Sequence, residues 1–113
     1  MNGSADLAAL KSRAGHMAGK LKLLSHPERL LMLCRLDESE ASVGELVAMT
    51  GLSQSSVSQH LAMLRDDQVV SYRVDAQSRR YRLVDPEIGA IIHALWEICQ
   101  ASAAREAEQD VPG

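Results

Sequence analysis

The 113-residue sequence is poor in cysteine, in long apolar runs and in net charge, and each shortage excludes something. Its two cysteines, Cys34 and Cys99, stand 65 positions apart with no Cys-rich spacing and no secretory leader. That excludes a secreted disulfide scaffold and makes a reducing cytoplasm the expected compartment. Even the richest apolar stretch, Ile88 to Cys99, is interrupted by Gly89, His93 and Glu97. It falls short of the roughly 18 residues needed to span a bilayer, so no membrane insertion is expected. Internal repeats, low-complexity runs, Gly-rich phosphate loops and paired-carboxylate motifs are also missing.

What remains, 46% hydrophobic and 24% charged residues, is the composition of one ordinary folded domain over residues 1–113. A chain of this size buries roughly two thirds of its unfolded surface, so an apolar face shared with a second copy would help it. A net charge of −3 argues weakly against nucleic acid, but the average hides a gradient. Residues 53–84 carry five arginines and three aspartates, between acidic segments on either side. Arginine suits planar contacts with phosphate and guanine.

Residues 1–4 are expected to fray, and Ala5 to Leu24 reads as a helix, with Leu7, Leu10, Ala14, Met17, Leu21 and Leu24 on one stripe. Ser25-His26-Pro27-Glu28 predicts a capped start, Ser25 the cap and Glu28 its capping-box acid, for a helix to about Glu38. Ser42-Val43-Gly44-Glu45 opens a short helix to about Met49, closed by Thr50-Gly51, and Ser53 caps a fourth from Gln54 to about Asp67. The period then changes to two: Val69–Val74 and Arg79–Val84 flank the turn Asp75-Ala76-Gln77-Ser78 as a β-hairpin. A last helix runs from Pro86 to about Ala107 with Ile88, Ile91, Ile92, Leu95 and Cys99 on one face, and residues 108–113 read as a polar tail.

A short capped helix, a Gly turn and a second helix starting in small polar residues is the layout of a helix-turn-helix, here about residues 43–67. The hairpin, about 69–84, is its wing. The expected fold is thus mainly α with a β-hairpin wing, in the order helix, helix, helix, helix, strand, strand, helix. Major-groove reading needs side chains short enough for close approach and polar enough to bond base edges, which Gln54, Ser55, Ser56, Ser58, Gln59 and His60 satisfy. Arg73, Arg79 and Arg80 on the hairpin are candidates to grip the backbone or a minor groove. Taken singly, a Ser-rich helix start is an ordinary cap and the arginines a solvated strand face. Their order along the chain favours double-stranded DNA.

These segments, together with Leu24-Ser25-His26-Pro27-Glu28-Arg29-Leu30, Gly44-Glu45-Leu46, Thr50 to Leu61 and Tyr81-Arg82-Leu83, resemble the ArsR/SmtB type of winged helix-turn-helix transcriptional repressors. The resemblance covers nearly the whole chain. It implies a homodimer, joined through helices 5–24 and 86–107, that binds a two-fold operator and leaves it when an inducer arrives. Many members sense metal through a Cys-x-Cys ahead of the helix-turn-helix or through Asp, His and Glu on the last helix. This chain has Val43-Gly44 at the first place, and at the second only Asp85, His93 and Glu97, too few donors to complete a site. No metal and no cofactor is therefore expected, and His93 with Glu97 reads as a helix-surface pair.

Cys34, among Leu30, Leu31 and Leu33, and Cys99, in line with Ile88, Ile92 and Leu95, are small buried hydrophobes on the blandest reading. Their segments, Met32 to Leu36 and Leu95 to Cys99, are similar to those of the sulfide- and persulfide-responsive branch of the family. The similarity implies that the two thiols of one protomer join through a disulfide or polysulfide on meeting reactive sulfur or an oxidant, with release of DNA. Arg35, adjacent in sequence, is a weak candidate to favour the Cys34 thiolate. An enzyme would need one cysteine as nucleophile and His16, His26, His60 or His93 as base; nothing in their spacing supports that, and no catalysis is expected. A winged helix that binds protein in place of DNA, and an activator in place of a repressor, stay open on sequence alone.

Overall fold

The computed structural model describes residues 3–109 and contains, in order, α1 (Gly3–Leu23), α2 (Pro27–Glu38), β1 (Ala41–Ser42), α3 (Val43–Thr50), α4 (Gln54–Asp66), β2 (Val70–Asp75), β3 (Ser78–Leu83) and α5 (Pro86–Gln109). The three strands form one antiparallel sheet in the order β1-β3-β2. The expected winged helix-turn-helix architecture is present, with two differences in outline. Gly3 and Ser4 are helical, as are Glu108 and Gln109, so α1 and α5 extend past their expected bounds; residues 1–2 and 110–113 of the expected frayed ends lie outside the described residues. The hairpin also has a third strand: Ala41 pairs with Tyr81 and Ser42 with Arg80.

Local chemistry sets most boundaries. Ser42 Oγ accepts the Glu45 N–H at 3.1 Å and Ser53 Oγ accepts the Ser56 N–H at 3.1 Å, the two expected caps. Gly51, at φ 75°, closes α3 in a conformation that would strain any residue with a Cβ. At α2 the expectation fails. His26 occupies the cap position without a side-chain bond, and Ser25 Oγ donates instead to the Lys22 carbonyl at 2.6 Å, closing α1. Pro27 is the reason: as the first helical residue it moves the cap onto its immediate predecessor.

The core lies where α2, α3, α4, α5 and β3 meet, and its fully buried side chains include Met32, Leu33, Leu46, Val57, Leu61, Leu64, Ile88 and Ile92. Ile88 and Ile92 bury only the first half of α5; from Trp96 on, nearly every residue is exposed. On α1, Leu7, Leu10 and Leu21 are about half exposed. These two helices make the molecule flat, 53 × 50 × 20 Å, with a radius of gyration of 17.2 Å. A compact chain of this length would have about 13 Å. No described helix is long and apolar enough to cross a membrane.

α1 is held to the start of α5 by charge. Asp85 Oδ1 caps α5, accepting the N–H groups of Glu87 at 2.9 Å and Ile88 at 3.2 Å, while Lys20 Nζ donates to Asp85 Oδ2 at 2.6 Å and to Glu87 at 3.3 Å. His16 and Arg13 also reach Glu87. Burial pushes the Asp85 carboxyl up, but Lys20 and the two N–H donors outweigh it and hold it below its ordinary value. Asp85→Ala therefore removes a cap and an ion-pair partner together and is expected to cost about 0.5–2 kcal/mol through the cap alone. Urea unfolding would register this as a lower midpoint, and Asp85→Asn, which keeps an acceptor oxygen, would lose less.

Candidate DNA interface and dithiol cavity

The turn between α3 and α4 is stitched by Thr50, whose Oγ1 donates to the Leu46 carbonyl at 2.8 Å and accepts the Leu52 N–H at 3.2 Å. α4 then turns Val57, Leu61 and Leu64 inward and leaves Gln54, Ser55, Ser58 and Gln59 exposed. Four of the six candidate base-reading residues thus form one open polar surface over the first turns of α4. The other two are engaged elsewhere. Ser56 is half-buried and accepts from Ser53 Oγ at 3.1 Å as part of the cap. His60 is half-buried against α2, its Nδ1 accepting from Arg29 Nε at 3.2 Å. Burial, and then the Arg29 charge, push the His60 imidazole down toward the neutral form that this bond requires. Spacing carried the signal, because His60 follows Val57 by three residues and adjoins Leu61, on the buried stripe.

The wing arginines divide in the same way. Tyr72 faces Tyr81 across the hairpin with ring centroids 5.4 Å apart, and Arg73 faces Arg80 on the other side of the ribbon. Like charges directly opposite repel. Two carboxylates relieve them: Glu40 takes Arg73 Nε with both oxygens at 3.0 Å, and Glu45 takes Arg80 Nη1 at 2.8 Å. Each arginine holds its carboxyl below the ordinary range. Arg79 has no carboxylate within ion-pair distance among the described residues and lies over the Tyr72 ring at 4.5 Å. Glu40 is not singled out by the sequence and Glu45 only as a residue of the helix start, and only the fold brings the two to the wing.

Cys34 and Cys99 come together. With Pro27, Leu30 and Leu31 of α2 and Leu95 and Trp96 of α5, they line one cavity of about 420 Å³ that no charged side chain enters. Cys34 is half-buried, while Cys99 is exposed because α5 has left the core by that point. The blandest reading, two buried cysteines, therefore does not describe Cys99. Burial pushes the Cys34 thiol up, and Cys99, Asp37 and Glu38 push the same way. Arg35 does not favour its thiolate, because the guanidinium is turned to Ser39, Glu40 and Glu45.

The metal candidates separate. Asp85 is committed to capping α5 and to Lys20, while His93 pairs with Glu97 at 3.1 Å and approaches Asp37 at 3.7 Å. Among the described residues, no group of three or more His, Cys, Asp or Glu side chains is arranged to hold a metal ion.

Residues 26–72 match the family described as "Bacterial regulatory protein, arsR family". The chain is 45% identical over 91 residues to the HTH-type transcriptional regulator YgaV of Escherichia coli (strain K12), which covers 80% of this chain and 92% of that protein. It is 46% identical over 98 residues to the transcriptional activator HlyU of Vibrio cholerae serotype O1, covering 86% and 91%. Among solved structures, the transcriptional repressor BigR from Xylella fastidiosa superposes with a TM-score of 0.75 at 38% identity, covering 80% of this chain and 93% of that one.

Proposed function

The chain belongs to the arsR family of bacterial regulatory proteins, and from that premise we propose that it is a homodimeric repressor that releases its operator when Cys34 and Cys99 of one protomer are bridged. It is a transcriptional regulator and not an enzyme. The observation that carries the sensing proposal is the cavity: the chain's only two cysteines, on different helices, line a single apolar pocket. The dimer reading is supported by the half-exposed leucines of α1, the exposed Trp96 and Ile98 of α5, and the excess radius of gyration. The open polar face of α4 supports direct reading of operator bases by Gln54, Ser55, Ser58 and Gln59.

The chemistry needs no group beyond the two thiols and the inducer. The exposed Cys99 thiolate attacks the outer sulfur of a low-molecular-weight persulfide, RSSH, giving Cys99–SSH and releasing RSH. Cys34 then attacks the Cys99 sulfur, forming the disulfide and expelling hydrogen sulfide. The net change is two thiols oxidised and RSSH reduced to RSH and hydrogen sulfide. When both cysteines carry an added sulfur, their condensation to a trisulfide likewise releases one molecule of hydrogen sulfide. A direct disulfide needs Cα atoms within about 7 Å, whereas inserted sulfur spans a wider gap. A dithiol that must rest reduced fits a reducing compartment.

The test is to treat the reduced protein with glutathione persulfide, record its intact mass with peptide mapping, and titrate operator DNA before and after. A Cys34–Cys99 link within one protomer, with operator affinity lowered by about 5- to 150-fold, is the expected result. Unmodified thiols, or a bridged protein with unchanged affinity, would overturn the sensing mechanism and leave the cysteines structural.

A further inference from the structure

Five arginines lie between residues 53 and 84, and the structure sorts them by partner. Arg73 and Arg80 are ion-paired with Glu40 and Glu45, and Arg82 Nε bonds the Ser71 hydroxyl at 3.3 Å. Arg65, in the last turn of α4, and Arg79, on β3, have no carboxylate within ion-pair distance among the described residues. Both sit over the same ring: Arg65 Cζ is 4.6 Å and Arg79 Cζ 4.5 Å from the centroid of Tyr72. The two guanidinium carbons are thus no more than about 9 Å apart.

We infer that Arg65 and Arg79, steadied by Tyr72, are a two-guanidinium clamp for the phosphate backbone of bound DNA. The inference rests on the DNA-binding reading above and adds to it Arg65 as a second phosphate-binding group beside Arg79 and Tyr72 as the residue that positions both. Three observations carry it. The first is charge, since these guanidiniums are not neutralised by a carboxylate, whereas Arg73 and Arg80 would have to leave one to meet a phosphate.

The second is geometry. Both arginines border a cleft of about 620 Å³ between α4 and the wing, and Gln54, Ser58, Ala62 and Arg65 run along its α4 wall at helical spacing. A strand laid in this cleft meets the base-reading start of α4 at one end and the clamp at the other. Recognition helices read bases with their N-terminal turns, so a cation in the last turn meets the backbone.

The third is preparation. An arginine over an aromatic ring uses its face and leaves its N–H edge free for phosphate oxygens. Stacking also restricts two long side chains before DNA arrives, so less freedom is lost on binding. Tyr72 is itself placed by its cross-strand partner Tyr81.

The experiment uses the full chain and a duplex selected by the wild-type protein from random sequence, with affinity measured across a range of salt concentrations. Each phosphate contact contributes about 0.9 to the slope of log K against log salt. Arg65→Ala and Arg79→Ala are each expected to reduce the slope by about 0.9 per bound protomer. Arg73→Ala is expected to keep the wild-type slope, whereas Tyr72→Leu, which removes the ring, is expected to weaken binding at a fixed salt concentration and Tyr72→Phe, which keeps it, to restore wild-type affinity; equal affinities of the Leu and Phe variants would remove Tyr72 from the clamp. Circular dichroism of each variant separates loss of contact from loss of fold, and a misfolded alanine variant is replaced by Arg65→Gln or Arg79→Gln, read on the same slope. Unchanged slopes in folded Arg65 and Arg79 variants would overturn the clamp and leave DNA binding standing. A slope loss in Arg73→Ala equal to theirs would overturn the division between paired and free arginines. A wild-type chain that selects no duplex at low salt would overturn the clamp and the DNA-binding reading together.

Discussion

Ile98→Glu is expected to sediment as a monomer and to bind a two-fold operator about 10²- to 10⁴-fold more weakly than the wild type, the advantage of making the second half-site contact intramolecular. Ile98 is 58% exposed on α5, beyond the last turn that packs on the protomer's own core, so its apolar surface is unexplained within one chain. In a two-fold interface one substitution places two carboxylates at the contact, and burying either without a partner costs more than the contact returns. Because the side chain is exposed in the protomer, the monomer should keep its fold and its helical circular dichroism. Leu10→Glu on α1, 53% exposed, should act in the same direction if both helices share the interface. Sedimentation equilibrium decides: dimers that persist in both variants would remove these helices from the interface, and Ile98→Leu should behave as the wild type.

The second large effect concerns the thiols. Cys34→Ser and Cys99→Ser should both bind operator like the reduced wild type, and both should keep that affinity after glutathione persulfide, losing the whole of a roughly 5- to 150-fold response. Their products should differ. Cys99 is exposed, so in Cys34→Ser it should be converted to a persulfide that has no resolving partner and accumulates. Cys34 is half-buried and its thiol is pushed up by burial, so in Cys99→Ser it should react slowly if at all. The intact mass of each variant over time reads this order directly. A single-cysteine variant that still releases DNA would sink the bridge, and faster modification of Cys34 than of Cys99 would reverse the assigned order of attack.

How much of this was legible in the sequence follows from the range of each interaction. The caps at Ser42 and Ser53 and the turn at Gly51 act within three or four residues, so their spacing was sufficient to predict them. The cap of α2 was misassigned to Ser25 because a Ser-x-x-Glu pattern outweighed the simpler constraint of Pro27 at the first helical position. β1 escaped notice because two residues have no periodicity, and their partners Tyr81 and Arg80 lie some forty positions on. The ion pairs of Arg73 and Arg80 are hidden from the sequence for the same reason, since Glu40 and Glu45 meet them only through the fold. His60 is a different case: the α4 periodicity already placed it inward, and its polar character pulled the reading outward. The joint placement of Cys34 and Cys99 on one cavity required knowing that α2 packs on α5.

Cys99 lies on the half of α5 that has left its own core, and in the proposed dimer a second copy would brace that half. Within the proposed dimer this links chemistry to abundance. A scarce regulator, largely dissociated, would hold its attacking thiol on an unbraced helix and respond poorly, whereas an abundant one would be both bound to DNA and ready to react. The cellular dose of the protein would therefore set the threshold of the signal as well as the depth of repression.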